Sequence, residues 1–213
     1  MRQSALSLSL KVAYSAFMAV LIPVYWYWYG PTNFLYFCDV ALILTLVGVW
    51  RESRLLISMC AVGIIVPQML WVLDFLGTML GLPITGMTAY MFVPTSSLFL
   101  RGLSLFHGWI PFLLLYLVAK LGYDRRGLPA WTLLAWALIA VAFLFLPGPR
   151  PDAGLTPVNV NYVWGLSDAA AQSWMHPYAW LALLVIGMPA LFFFPSHLLL
   201  QRFFTNARRG PSK

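Results

Sequence analysis

Long apolar runs separated by short polar breaks set the pattern of this 213-residue chain. Residues 8–29, 33–50, 54–75, 98–120, 129–147 and 176–201 each predict a helix able to cross a bilayer. Crossing roughly 30 Å of hydrocarbon takes about 20 apolar residues. No segment shows the apolar-out, polar-in alternation of a membrane barrel. Residues 76–97 are apolar but broken by Gly and Pro, and read as a re-entrant or interfacial loop. Residues 148–175 form a long loop rich in Pro, Gly, Asn and Asp. With no internal repeat and no linker, the pattern predicts an all-α polytopic protein, one transmembrane domain over 1–213.

Composition agrees with lipid as the main solvent. Hydrophobic residues make up 62% of the chain and charged residues 9%, with a mean hydropathy of +0.82. Soluble domains carry about 25% charged residues. The net charge of +7 does not point to nucleic acid, because the basic residues flank the apolar runs. With the N-terminus inside, Arg2, Lys11, Arg51, Arg54, Lys120, Arg125, Arg126, Arg202, Arg208, Arg209 and Lys213 all fall on the inner side. Only Arg101 and Arg150 fall outside. This asymmetry predicts six spans with both termini cytoplasmic, in a bacterial inner (plasma) membrane. The run from Val12 into YWYWYG lacks a small-residue cleavage site and reads as a retained first helix with an aromatic belt. Two cysteines, Cys38 and Cys60, without a CxxC give no disulfide framework or metal cluster, and no cofactor is expected.

Ionisable and polar residues at membrane depth are costly and mark function. Cys38, Asp39, Gln68, Asp74, Arg101, Ser104 and His107 make up that set. Cys38 lies about 8 Å into the second span from the outer face and His107 about 13 Å into the fourth. Ser104 and His107 share a helix face. Pro111 frees the His107 carbonyl and predicts a kink. A histidine here serves either a site or interhelical hydrogen bonding, and a membrane cysteine is either a small hydrophobe or, with a histidine, an activated nucleophile. Cys60, in SMCAVG near the inner face, has no acid or base beside it. His197 lies at the inner end, whereas His176 lies at the outer interface as an alternative base. Asp74 and Arg101 are expected to form an ion pair that is structural or positions a headgroup. The asparagines of NVNYVWG, residues 159–165, bind a headgroup or form turns.

The order FLYFCDVALIL, LSLFHGWIPFLLLYLV, NVNYVW resembles the YwaF-type integral membrane proteins over roughly residues 33–180. The family motifs fall here on Cys38-Asp39, Phe106-His107-Gly108 and Asn161-Tyr162. Phe106 departs from the Ser that the family tends to place before the histidine. The family is related to a eukaryotic transmembrane Cys/His acyltransferase and, more distantly, to androgen-induced membrane hydrolases that use Thr; the comparable position here is Tyr36. The resemblance implies a lipid acyltransferase or acyl-ester hydrolase with Cys38 as nucleophile, His107 as general base and Asp39 as an orienting group. Ser104, Asn161, Tyr162, Arg101 and Asp74 would contact a membrane-lipid substrate entering from the outer leaflet. Two other readings fit the same residues: a cavity that binds or transports an ion or amphiphile, and a structural protein whose polar groups tie helices together. No protein partner is indicated.

Overall fold

The computed structural model describes residues 4–152 and 154–204. Its elements are helical: α1 (Leu8–Tyr29), α2 (Phe37–Arg51), α3 (Arg54–Met79), α4 (Leu98–Ser104), α5 (Phe106–Leu121), α6 (Gly127–Phe145), α7 (Pro177–Met188) and α8 (Phe194–Phe204). Short 3-10 turns at Pro31–Leu35, Ala89–Phe92 and Val160–Tyr162, and a π turn at Pro189–Phe193, complete the chain. Five stretches are long and apolar enough to cross a membrane: Leu8–Tyr29, Arg54–Met79, Leu98–Leu121, Gly127–Phe145 and Pro177–Phe204. The chain is therefore an all-helical integral membrane protein. Apolar side chains such as Leu133, Leu144, Phe145, Leu183 and Ile186 point outward, as a lipid-facing surface requires.

The second expected span, 33–50, is a shorter helix than the pattern implies. Pro31 and Asn33 build a 3-10 turn, so α2 begins only at Phe37 and has 15 residues. Five residues at about 2.0 Å and fifteen at about 1.5 Å nevertheless rise about 32 Å, close to the 33 Å or so of the 22-residue α1. The two elements run antiparallel over that length. Glu52, just past α2, reaches the start of α1, where it accepts hydrogen bonds from the Ser4 hydroxyl, the Ala5 amide (2.9 Å), the Leu6 amide (3.3 Å) and Lys11 Nζ (2.9 Å).

Further bonds collect at that same end of the bundle. Arg54 Nε donates to the Leu121 carbonyl (3.0 Å), the Asp124 amide to Ser58 Oγ (2.9 Å), and Tyr123 Oη pairs with His197 Nδ1 (2.7 Å). His197 thus lies away from the candidate site, as its position in the last span predicts. Gly122 ends α5 at φ 89°, a conformation that disfavours any side chain. α3 is the central helix, packed by α2, α5, α6 and α8. Prolines shape the last segment: Pro189 has no N–H for the Val185 carbonyl, and Trp136 Nε1 takes that carbonyl instead (2.9 Å).

The Glu52 clamp gives a pH prediction. The Ser4 hydroxyl, then Lys11, hold the Glu52 carboxyl down at about 2. A depressed carboxyl stabilises the fold above its unfolded value of about 4.5 and loses that contribution as pH falls through about 2. Because the side chain is 24% exposed, the contribution is about 1 kcal/mol or less. Thermal unfolding of wild type and Glu52→Gln should therefore differ at neutral pH and converge between about pH 4.5 and 2; a gap that persists at acid pH contradicts the clamp.

Candidate functional site

The opposite end of the bundle gathers nearly all the polar residues singled out in the sequence. It is built around the N-terminus of α2. The first amides of a helix lack partners within it, and here the partner comes from far along the chain. Asn161 sits at φ 58° in the left-handed region and turns its carboxamide onto the segment 35–37. Its Oδ1 accepts from the Phe37 amide (3.1 Å) and its Nδ2 donates to the Leu35 carbonyl (2.9 Å). Asn159, also left-handed, holds this loop through Gly165, Ser167 and Trp164. Both asparagine side chains are thus engaged with backbone, and Asn161 anchors the site. Tyr162, itself at φ 59°, is fixed by Trp180 Nε1 on its carbonyl (2.8 Å). Left-handed non-glycine residues cost of order 1–3 kcal/mol each and concentrate at functional sites.

Asp39 lies in the first turn of α2 and is only 3% exposed. Asn33 Nδ2 donates to its Oδ2 (3.1 Å), and the Cys38 thiol reaches the same oxygen at 3.8 Å. Oδ1 is buried and has no hydrogen-bond partner among the described residues. No lysine, arginine or histidine forms an ion pair with Asp39 among the described residues.

His107 stands on the neighbouring α4–α5 segment, which breaks at Leu105 rather than at Pro111 itself. The Gly108 amide bonds to Leu105 O (2.9 Å) instead of continuing the α-helical ladder to Ser104. The Ser104 carbonyl is thereby open, and His107 Nδ1 lies 2.7 Å from it. A carbonyl only accepts, so Nδ1 carries the proton and Nε2 keeps the lone pair. The ring stacks on Trp71 with centroids 4.9 Å apart. No hydrogen bond joins His107 to Cys38 among the described residues. Tyr25 Oη pairs with Ser104 Oγ (2.9 Å), and Tyr25 and Tyr90 lie within electrostatic reach of Asp39 and Cys38 respectively. Gln68 adds a buried Oε1 without a partner. Asn33 stands in the sequence only at a span entrance and Tyr25 only in an aromatic belt; nothing local marks them, or Trp71 and Tyr90, as neighbours.

The expected ion pair between Asp74 and Arg101 does not form. Asp74 accepts instead from the amides of Ile84, Thr85, Gly86 and Thr88 and from the Thr88 hydroxyl. Arg101 Nη1 donates to the Met91 carbonyl (3.0 Å). A carboxylate surrounded by backbone N–H groups needs no cation. The two residues fix both parts of the 80–97 strap, which carries Tyr90.

Cys60 is buried and its thiol bonds the Ala41 carbonyl (3.5 Å). His176 caps α7 through the Tyr178 amide (3.3 Å). No group of three or more metal-ligating side chains occurs among the described residues. A groove of about 580 Å³ lies elsewhere, between α6 and the α7–α8 segment; its lining, including Leu133, Trp136, Ile186 and Phe194, contains none of these residues. The chain matches no family model, no curated protein and no solved structure.

Proposed function

We propose that the polar end of the bundle is the reaction site of a membrane-embedded lipid acyltransferase or acyl-ester hydrolase. The observation that carries this reading is the 2.7 Å approach of His107 Nδ1 to the open Ser104 carbonyl, which directs the proton to Nδ1 and leaves Nε2 as a base. Cys38 is the nucleophile. His107 takes the thiol proton, and the sulfur attacks the ester carbonyl carbon. The C–S bond forms, the C–O bond breaks, and the lysolipid oxygen leaves with the proton from His107. Water or a second lysolipid hydroxyl then cleaves the thioester, giving its proton to His107 and returning the thiol. Because the thiol and imidazole are not bonded in the free protein, substrate must close that gap; catalytic hydrogen bonds are often long before substrate binds. This is also the chemistry that the resemblance to YwaF-type proteins implies.

The same proposal places the chain in a bacterial inner (plasma) membrane with six crossings. The matched rise of α1 and of the 3-10 turn plus α2 supports counting α2 as a crossing. Basic residues near the Glu52 end, among them Lys11, Arg51, Arg54, Lys120 and Arg126, support a cytoplasmic orientation for that end. Arg2, Arg208, Arg209 and Lys213, which the sequence also assigns to the inner side, lie outside the described residues. The site then opens to the outer leaflet, and a diacyl lipid reaches it laterally. Proximity contributes much of the rate, since both reactants already lie in the bilayer.

The test is incubation of the protein in lipid vesicles with an alkyne-tagged phospholipid, followed by detection of a hydroxylamine-sensitive protein thioester. Labelling should vanish in Cys38→Ala, fall about a hundredfold in His107→Ala, and persist in Cys60→Ala. Labelling that survives Cys38→Ala rules the cysteine mechanism out. A second reading, a binding or transport cavity, is favoured by the unpartnered Asp39 Oδ1 and Gln68 Oε1. It predicts ligand uptake that is indifferent to Cys38→Ser.

A further inference from the structure

The two buried carboxylates at this end of the bundle are treated very differently. Asp74 receives five hydrogen bonds shared between its two oxygens, the full complement of an ionised carboxylate. Asp39 receives two, and both fall on one oxygen. Asn33 and the Cys38 thiol point at Oδ2, and no donor among the described residues points at the buried Oδ1. A carboxylate with one buried oxygen bare of donors, and no cation paired to it among the described residues, is disfavoured as an ion in apolar surroundings and takes a proton instead. The donors already identify Oδ2 as the accepting, carbonyl-like oxygen, so the proton belongs on Oδ1.

The groups within electrostatic reach of Asp39 are Tyr25 and Tyr29 from α1, Asn33 and Tyr36 from the preceding turn, and Cys38 on its own helix. None is cationic. A negative charge on Asp39 would also oppose formation of a thiolate one residue away, and a neutral acid removes that opposition. A carboxylic acid kept neutral by an apolar site is a strong hydrogen-bond donor.

We propose that Asp39 is held as the neutral carboxylic acid, with its proton on Oδ1, and donates that hydrogen bond to the carbonyl oxygen of the acyl group attacked by Cys38. The inference rests on the acyl-transfer reading for the identity of the acceptor, and on the structure alone for the protonation. The proton remains on Asp39 throughout: it stabilises the oxyanion while His107 carries the thiol proton. The ligand class is a carboxylic ester, and Asp39 is the residue that touches its carbonyl.

Two measurements test this. Infrared difference spectra of wild type minus Asp39→Asn, in lipid at neutral pH, should show the carbonyl stretch of a protonated carboxylic acid that shifts on deuteration. Should the variant not fold, isotopically labelled aspartate in wild type must still show a protonated aspartate band that shifts with the label, and its absence overturns the proposal. A difference spectrum with only ionised-carboxylate bands overturns the proposal. In the thioester assay, Asp39→Ala should lose about a hundredfold, the scale of one oxyanion donor. Asp39→Asn, which puts an N–H donor in place of the acid O–H, should recover most of that loss. If the Asn variant is as poor as the Ala variant although folded, the donor role is wrong. If the acid band is present but wild type forms no thioester, the acyl-transfer reading fails while the protonated Asp39 stands.

Discussion

Replacing Asp74 by alanine is expected to release the 84–88 strap and to destabilise the protein by about 3 kcal/mol. Four backbone amides and one hydroxyl converge on this carboxylate, and hydrogen bonds to a charged acceptor are each worth about 1.5–3 kcal/mol net. The total loss stays well below their sum, because several of the freed amides become accessible to water once the strap lifts. Asp74→Asn should cost less. The Asn oxygen can still accept from Ile84, Thr85 and Gly86, but its NH₂ would face the Thr88 amide, donor against donor. Amide hydrogen exchange gives the most direct readout: residues 84–88 should lose protection in Asp74→Ala, while α3 itself keeps it. Equal loss of protection across α3 would mean that Asp74 supports the bundle rather than the strap. Because Arg101 holds the other part of the strap through Met91, Tyr90 should be displaced only in part.

The hydrophobic pattern carried the helices well and the connections poorly. Helix limits followed local signals that a sequence displays: Ser7 and Ser53 as N-caps, and Pro177 at the first helical position of α7. The start of α2 did not, because it is set by a side chain 124 positions away, Asn161 on Phe37. Hydropathy alone sees an unbroken run from residue 33. Charge pairing misled at Asp74 and Arg101. Opposite charges at the same end of adjacent spans looked like a pair, yet a glycine-containing strap that folds back over α3 offers the carboxylate its own amides first. The helix runs on through Pro111, where a kink is expected, and breaks instead at Leu105, and that break opens the Ser104 carbonyl for His107. Glu52 attracted no notice as an isolated acid, although it ties the chain's start to the α2–α3 turn. Polar residues at membrane depth were the most informative signal. Cys38, Asp39, Ser104 and His107 do lie toward one end, and their membrane position made them legible, since hydrocarbon excludes polar groups without a reason. What stayed hidden was how they pair, which depends on rotamers and on aromatic neighbours that any membrane helix carries.

The second large effect is expected at the centre of the bundle. Gly63 lies on α3 beneath the indole of Trp131 from α6, and a Cβ added there would fall 1.8 Å from Trp131 Cε2 and 2.1 Å from Nε1. The neighbour is no flexible chain end that can swing aside. Trp131 is fully buried and packs with Phe37 of α2 and Phe193 of the π turn, at centroid distances of 6.3 and 6.4 Å. Moving its rigid ring therefore pushes on two other elements. Overpacking usually costs about 1–3 kcal/mol, and this position should reach or pass the upper end for Gly63→Ala, with larger residues preventing assembly. Pro67 adds to the constraint: it withdraws a donor from the Gly63 carbonyl, so the helix there is already short of one bond. Combining Gly63→Ala with Trp131→Phe separates steric conflict from lost helix flexibility. If the clash is the cause, the smaller ring relieves it, and the double variant should be more stable than the sum of the two single losses predicts. Strict additivity in denaturant or thermal unfolding would show that the glycine serves the backbone instead. Because Phe37 also opens α2 and donates its amide to Asn161, a shifted Trp131 should disturb the Cys38–Asp39 turn as well. Thioester formation should then fall in Gly63→Ala along with stability and return in the double variant.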